Sequence, residues 1–248
     1  MRSPKLRSKS VTFKPDTLFS PAVCALTHGL DPQVVLLDLD GTLIDSVPDL
    51  ASAVDHMLVA LERPPVGRKR VAEWIGNGAD MLVRRALCDG DETQAVALLM
   101  QDVQAARQHF DAAYLAALHQ ATGAFAGVGE FLQRVSIPKI VITNKPRMFT
   151  DPLIQSLGWS GYFPFIICGD DYSERKPSPM PLIKACEKLS ISLNCALMIG
   201  DSRHDIQAAK AAGIATAAVT YGYNHGEDIR TSSPDLICDN LLELLSAS

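Results

Sequence analysis

The stretch VVLLDLDGTLIDS, residues 34–46, is an apolar run that ends in two aspartates, Asp38 and Asp40. A continuously apolar strand is typical of a parallel sheet covered on both faces. Residues two apart in a strand share a face, so a strand over 34–40 predicts that both carboxylates point the same way. Because open α/β sheets bind ligands at the carboxyl ends of their strands, the pair indicates a site at that edge.

Gly41 and Asp45 follow the pair and leave a simpler interpretation open. An ordinary Asp-Gly turn would by itself explain the sequence, with Gly41 allowing a tight turn that exposes backbone amides. A calcium-binding loop is excluded, because Leu43 occupies the position at which such a loop needs glycine.

Apolar runs alternate with amphipathic helical patterns from about residue 137 onward. This alternation predicts an α/β fold, a Rossmann-like parallel sheet with helices on both faces. The strand predictions after 34–40 are 140–143, 165–168, 196–199, 216–220 and 235–238. One helical pattern ends at Gly213, which we interpret as a helix stop.

Residues 48–123 interrupt this alternation. The stretches 48–63, 77–88 and 91–120 carry apolar residues at helical spacing, which predicts an all-helical cap domain over 48–123. The α/β core domain is then 33–47 together with 124–248, and the glycine-rich 122–130 is the return linker. Residues 1–32 form an N-terminal extension that is predicted to be flexible, with a transit-type or nucleic-acid-binding arm as the alternative, since five basic residues precede its first acid.

Composition excludes several classes of function. The 248-residue chain is 47% hydrophobic, enough for a large core, and its net charge of −5 argues against general binding to nucleic acid or anionic membranes. No apolar stretch approaches the roughly 18 residues that suggest a membrane span. The six cysteines form no CxxC pair, which favours reduced thiols in a cytoplasmic protein.

A second apolar run, ALMIGDSRHD at 196–205, also ends in an acid, Asp201, with Asp205 four residues later. If Asp201 reaches the same sheet edge as Asp38, the carboxylates need a counter-ion, and hard oxygen ligands favour Mg²⁺. Asp205 is equally explained as an acid in the first turn of the next helix. We therefore predict that Ser202 and Asp205 support the metal ligands without binding the ion directly.

Two further stretches add neutral and cationic groups. IVITNKP at 140–146 ends a strand in Thr143 and Asn144, although Asn-Lys-Pro by itself also explains a turn. SERKPSPMPL places Lys176 before three prolines, which is alternatively a proline-rich recognition motif. Together these groups suit phosphoryl transfer: a metal and Lys176 would neutralise the phosphoryl oxygens, and an aspartate would attack in line.

DLDGTLIDS, ITNKP, RKPSPMPL and IGDSRHD resemble, in order and spacing, the four motifs of the haloacid-dehalogenase-like phosphohydrolases. The resemblance covers roughly residues 33–240. It implies that Asp38 is the nucleophile and Asp40 the general acid/base, with Mg²⁺ on Asp38, the carbonyl of Asp40, and Asp201. Residues implied to bind phosphate are Gly41, Thr143, Asn144 and Lys176. The helical insertion matches the family's type-one cap.

The substrate is predicted from the cap stretch WIGNGADMLVRRAL at 74–87. Gly76 and Gly78 flank Asn77, and the helix that begins there offers free N–H groups to an anion, with Arg84 or Arg85 a turn or two further along. An ordinary helix cap, with Asn77 at the cap position, explains the same residues equally well. This stretch and VTYGYNHGEDI at 219–229 resemble phosphoglycolate phosphatases, which implies 2-phosphoglycolate as the substrate.

Three rival functions remain open. A phosphatase acting on sugar phosphates and a phosphosugar mutase would share these motifs, and a catalytically silent binding module would keep the fold. A hydrolytic dehalogenase is disfavoured, because the resemblance to that group would lack an acid at position 40. The expected partner is a small phosphate ester, and carbohydrate metabolism is the expected context.

Overall fold

A computed structural model describes residues 17–247. The strands are β1 (Val34–Leu37), β2 (Ile44–Asp45), β3 (Gly123–Ala124), β4 (Lys139–Ile142), β5 (Ile166–Ile167), β6 (Ala196–Gly200), β7 (Ala215–Val219) and β8 (Leu236–Cys238). The α-helices are α1 (Pro21–Leu26), α2 (Val47–Ala60), α3 (Gly67–Trp74), α4 (Ala79–Leu87), α5 (Glu92–Ala97), α6 (Met100–Ala117), α7 (Val128–Arg134), α8 (Arg147–Ser156), α9 (Met180–Leu189) and α10 (Arg203–Ala212).

Six of the strands in the described range form one parallel sheet, in the order β5-β4-β1-β6-β7-β8. Apolar side chains cover both faces: Val35 and Leu37 of β1 belong to one buried cluster, and Val34 and Leu36 belong to another. This confirms the predicted α/β fold. Because β1 lies between β4 and β6, the chain leaves these three strands at one edge of the sheet.

The first strand is shorter than predicted. It ends at Leu37, so Asp38 and Asp40 lie in the loop that follows rather than in the strand. The alternation of side chains along a strand therefore does not decide where the carboxylates of Asp38 and Asp40 point. The loop is held by Gly41, whose N–H donates to the carbonyl of Ile44, and by a bridge between Asp40 and Ile44.

The stretch 47–117, all of it described, contains the five helices α2 to α6. Strands β2 and β3 pair antiparallel where the chain leaves and re-enters the α/β part, with Ile44 opposite Ala124. We call residues 48–123 the helical insertion. The stretch 91–120 contains two of these helices, because Leu98 and Leu99 are extended and separate α5 from α6.

The N-terminal prediction needs a correction. Within residues 17–32, helix α1 packs on the core, Phe19 is fully buried, and Phe19 forms a bridge with Leu245. Asp31 accepts the N–H groups of Leu18 and Phe19, both at 2.9 Å. This part is an ordered segment of the core rather than a flexible extension. Residues 1–16 lie outside the described range.

Two further sequence predictions concern membrane-spanning helices and the state of the cysteines. No helix within residues 17–247 has the length and apolar character needed to cross a bilayer. All six cysteines are free thiols, as their scattered spacing predicted.

Candidate active site

Asp38 follows β1 and is joined to Lys176 in the interior of the molecule. The ammonium of Lys176 donates to Asp38 Oδ1 and to the carbonyl of Ile142, both at 2.6 Å. It also forms an ion pair with Asp205 Oδ1 at 2.7 Å. Lys176 and Asp38 are 3% and 8% exposed, so this contact is shielded from water. One lysine thus joins the carboxylate that follows β1 to a carboxylate in the first turn of α10.

The electrostatics of this cluster show an excess of negative charge. Burial, followed by the charge of Asp205, raises the pKa of Asp38 well above its usual range even though Lys176 opposes the shift. The same two causes raise the pKa of Asp201 to about 6. Burial would lower the pKa of Lys176, but Asp205 and Asp38 raise it above its ordinary value. A single ammonium does not offset three carboxylates.

This acidic cluster fits a divalent cation. Carboxylate oxygens of Asp38, Asp201 and Asp205 lie within 4.8 Å of one another. Both oxygens of Asp205 are engaged, Oδ1 by Lys176 and Oδ2 by Ser202, whereas Lys176 contacts only Oδ1 of Asp38. Hard oxygen donors of this kind suit Mg²⁺, and the raised pKa values show that added positive charge would be favourable here.

Asp201 follows β6 and is held by two hydrogen bonds. Its Oδ1 accepts from the hydroxyl of Thr42 at 3.0 Å, and its Oδ2 accepts from the N–H of Tyr223 at 2.7 Å. Gly41 has a φ of +92°, and a Cβ there would lie 2.3 Å from Asp201 Oδ2. Gly41 is therefore needed for the approach of the Asp38 loop to Asp201.

Asp205 and Ser202 form the start of α10. Asp205 Oδ2 accepts from the N–H of Ser202 at 3.1 Å and from its hydroxyl at 2.7 Å, in a capping box. The prediction of Asp205 as a first-turn acid is confirmed. Its other oxygen faces Lys176. Asp205 therefore fixes both the helix start and the lysine that contacts Asp38.

A cavity with about 450 Å³ of empty space, counting its open mouth, reaches this cluster at Asp38. Its lining combines the ends of β1 and β4 with the helical insertion. The predicted site residues that line it are Asp38, Asp40, Gly76, Gly78, Thr143 and Asn144. The lining residues that the sequence did not single out are Leu50, Ile75, Ala79, Leu82, Phe110, Tyr114, Lys145, Pro146 and Phe149.

The prediction that the side-chain amide of Asn144 binds phosphate needs a correction. Its Nδ2 donates to the carbonyls of Gly76 at 2.8 Å and Lys176 at 2.9 Å, which uses both amide hydrogens. The remaining oxygen is an acceptor and does not bind a phosphate oxygen. Asn144 instead connects the insertion to the loop that carries Lys176. Thr143 lines the cavity and its hydroxyl accepts from the N–H of Lys145 at 3.1 Å.

Lys145 is a site residue that the sequence reasoning missed. Its ammonium donates to Asp40 Oδ1 at 2.8 Å and lies 4.8 Å from the ring centroid of Tyr114. Burial would lower the pKa of Lys145, but Asp40 raises it above its ordinary value, so the side chain is charged. The available signal was a lysine that directly follows Thr143 and Asn144 at a strand end.

The glycine-flanked segment of the insertion forms its own contacts with the α/β part. Asn77 does not cap α4: the cap position is Gly78, and the Asn77 amide contacts His204 Nε2 at 3.1 Å. His204 Nδ1 in turn lies 3.2 Å from His225 Nε2. The N-terminus of α4 therefore faces the cavity without a side-chain cap.

Arg84 does not reach the cavity, which corrects the prediction that it selects the substrate. It is 8% exposed, donates to Asp80 Oδ2 at 2.7 Å and to the carbonyl of Leu98 at 2.6 Å, and so ties α4 to the end of α5. Arg85 is similarly engaged, with Glu92 and the carbonyl of Trp74.

The fold, the acidic cluster and the buried lysine define a class of hydrolase. The chain belongs to the haloacid dehalogenase-like hydrolases, whose family model matches residues 35–219. The family resemblance inferred from the four motifs is confirmed.

Several proteins similar to this chain are named phosphoglycolate phosphatases. The chain is 45% identical over 225 residues to the phosphoglycolate phosphatase of Pseudomonas fluorescens, which covers 89% of this chain and 81% of that protein. It is 42% identical to the phosphoglycolate phosphatase of Escherichia coli K12, covering 88% and 92%. A solved structure described as a predicted phosphoglycolate phosphatase from Haemophilus somnus matches with a TM-score of 0.78 and 33% identity, covering 84% and 94%.

Proposed function

We propose that this protein is a Mg²⁺-dependent phosphatase that hydrolyses 2-phosphoglycolate to glycolate and phosphate. The observation that carries the proposal is the buried contact between Lys176 and Asp38, whose carboxylate lines the cavity. Relatives at 42–45% identity named phosphoglycolate phosphatase support the choice of substrate.

Asp38 acts as the nucleophile. Its oxygen attacks phosphorus in line, the ester bond to the glycolate oxygen breaks, and the phosphoryl group is carried on Asp38 as an aspartyl-phosphate. Asp40 donates the proton that the leaving oxygen takes up, and then accepts a proton from the water that hydrolyses the intermediate. Asp40 lines the same cavity as Asp38, as a general acid that acts beside the nucleophile must.

Thr143, which lines the cavity, binds a phosphoryl oxygen, and Lys176 supplies positive charge to the phosphoryl group through its contact with Asp38. Lys176 also holds Asp38 in a fixed position, because its contacts with Ile142 and Asp205 restrict the ammonium. Such a preorganised cation stabilises the charge that spreads over the phosphoryl oxygens during transfer.

Asp38, Asp201 and the backbone carbonyl of Asp40 would hold Mg²⁺. When bound, the ion supplies the positive charge that the cluster lacks and polarises the phosphoryl group. The raised pKa values of Asp38 and Asp201 support this assignment, because both report uncompensated negative charge.

The helical insertion acts as a cap that closes over the bound substrate and excludes water. The hydrogen bond from Asn144 to the carbonyl of Gly76 is the contact that closure makes with the α/β part. Leu82 and Phe110 of the insertion supply apolar parts of the cavity lining. We place the reaction in the cytoplasm, where the six free thiols would stay reduced.

A screen of small phosphate esters in the presence of Mg²⁺ tests the proposal. We expect the highest kcat/KM for 2-phosphoglycolate, no turnover after chelation with EDTA, and recovery with Mg²⁺ but not with Ca²⁺, which prefers a larger and looser oxygen shell. A higher kcat/KM for a sugar phosphate would replace the substrate, and conversion of a phosphosugar to its isomer would make the enzyme a mutase.

A further inference from the structure

The proposed substrate carries a second anion, and the cavity must supply a group that recognises it. Only an ester oxygen and one methylene carbon separate the phosphorus of 2-phosphoglycolate from its carboxylate. The carboxylate must therefore bind close to the proposed general acid, Asp40. Arg84, the cation expected from the sequence, is engaged inside the insertion and does not line the cavity.

Lys145 is the one cationic side chain among the described residues that line this cavity. A lysine ammonium has three N–H donors, and Asp40 takes one of them at 2.8 Å. The side chain of Lys145 is 4% exposed, so a carboxylate that contacts it is shielded from competing water. Charge-assisted hydrogen bonds in such surroundings are stronger than neutral ones.

Tyr114 supplies a second, independent observation. It belongs to α6 of the insertion, lines the cavity and is 1% exposed. Its hydroxyl is buried, and the neighbouring Lys145 ammonium can only donate to it, so the hydroxyl's own hydrogen has no acceptor among the described residues. A buried hydroxyl hydrogen without an acceptor costs free energy, which a bound acceptor would recover. Its ring also lies 4.8 Å from the Lys145 ammonium.

We infer that Lys145 and Tyr114 bind the carboxylate of the substrate and so select phosphoglycolate over phosphate esters without an acid group. This inference rests on the proposed function. Lys145 comes from the end of β4 and Tyr114 from the insertion, so the carboxylate contacts both parts of the molecule. A substrate that lacks the carboxylate leaves the Tyr114 hydroxyl without an acceptor and makes no contact with the free donors of Lys145.

The test compares 2-phosphoglycolate with 2-hydroxyethyl phosphate, in which a hydroxymethyl group replaces the carboxylate. We define the carboxylate preference as the ratio of the two kcat/KM values. Lys145→Met should lower this preference about 10- to 100-fold, mainly by raising KM for phosphoglycolate, and Tyr114→Phe should lower it about threefold to tenfold. Any disturbance of Asp40 affects both substrates and cancels in the ratio.

The chain offers a matched control, because Lys139 lies over the ring of Tyr162 at 5.9 Å and neither residue lines the cavity. Lys139→Met and Tyr162→Phe should leave the preference unchanged. Lys145→Arg, which keeps the positive charge, should retain part of the carboxylate preference. This variant tests the inference if Lys145→Met does not fold. Affinities for 2-phosphoglycolate in an Asp38→Asn background should show the same order without turnover.

The possible failures are distinguishable. If Lys145→Met lowers both rates equally, Lys145 serves only Asp40 and the inference is wrong. Loss of the preference in Arg175→Met, with Lys145→Met unaffected, would move the contact to the exposed Arg175 that lies near Gly78. If the unaltered protein has no carboxylate preference, the proposed substrate itself is wrong.

Discussion

The carboxyl edge of the sheet and the helical insertion use their charged residues in opposite ways. At the sheet edge, Lys176 and Lys145 are buried against Asp38 and Asp40, and Lys145 lines the cavity together with both carboxylates. In the insertion, Arg84 and Arg85 of α4 are also buried, but they bind residues of the insertion itself, at Leu98 and Glu92. The insertion therefore offers the cavity apolar side chains, one hydroxyl and helix N–H groups. This difference indicates that cations for both ends of the substrate come from the α/β part.

Replacing the buried Lys176 should have a large effect on both activity and stability. Lys176→Met leaves Asp38 and Asp205 without their cation, so we expect turnover of every phosphate ester to fall by about 10³-fold or more. Losing one partner of a buried pair should also lower the free energy of unfolding by about 3–5 kcal/mol. Denaturant titration and steady-state kinetics measure the two effects.

Lys139→Met is the matched control for that substitution. Lys139 is also buried, but its ammonium donates to the carbonyl of Val135 and forms no ion pair within the described residues. We expect a loss of stability of about 1 kcal/mol and nearly unchanged turnover. Similar losses of activity in both variants would show that the Lys176 effect is general destabilisation.

A second prediction probes the contact between the two regions. A Cβ at Gly78, whose φ is +82°, would lie 2.9 Å from the carbonyl oxygen of Asn144. Gly78→Ala should therefore push the insertion away from the sheet edge and lower kcat/KM about tenfold. Gly67 has a φ of +74° with nothing near its Cβ position, so Gly67→Ala carries a similar backbone strain of about 1 kcal/mol without the clash. Equal kinetics in both variants would contradict the contact.

A substitution of Arg84 tests whether the buried arginines of the insertion stabilise the insertion rather than bind the substrate. Arg84→Met removes the contacts that join α4 to Asp80 and Leu98, so we expect a loss of about 2 kcal/mol, or roughly 4–8 °C in Tm. The KM for 2-phosphoglycolate should stay within about twofold of that of the unaltered protein. A large rise in KM with unchanged Tm would restore Arg84 as a substrate contact.

The smallest expected effect concerns pH. Burial lowers the pKa of both His204 and His225 to about 4. The unfolded chain, in which histidine titrates near 6.5, binds more protons between these values, so the folded state loses stability as the pH falls from 6.5 toward 4. His225→Gln should reduce this acid sensitivity by about 2–4 °C in Tm per pH unit. An unchanged pH profile of Tm would show that His225 titrates normally in the folded protein.

The sequence predicted the sheet and the acidic cluster because both depend on local patterns. Each strand end carries its polar residue directly after an apolar run, as Asp38 and Asp201 do, and parallel topology brings those ends together. The first strand was overextended because Leu39 continues the apolar alternation, although Gly41 and Asp40 already form a turn with Ile44.

What the sequence did not predict depends on tertiary contacts. Asn-Lys-Pro was sufficiently explained as a turn, so the contact of Lys145 with Asp40 was missed. Arg84 was assigned to the substrate because its partners at Leu98 and Ala95 lie on another helix, although Asp80 four residues earlier was a readable signal for an internal pair. The pairing of Tyr114 with Lys145 joins two regions far apart in sequence.

The central claim is that Asp38 takes the phosphoryl group at this sheet edge. Acid quenching during turnover of 2-phosphoglycolate with Mg²⁺, followed by peptide mass spectrometry, measures this directly. We predict a phosphoryl mass on the peptide containing Asp38, lost on treatment with hydroxylamine and absent in Asp38→Asn. A phosphoryl group on another residue, or an Asp38→Asn variant that turns over at the unaltered rate, would contradict it.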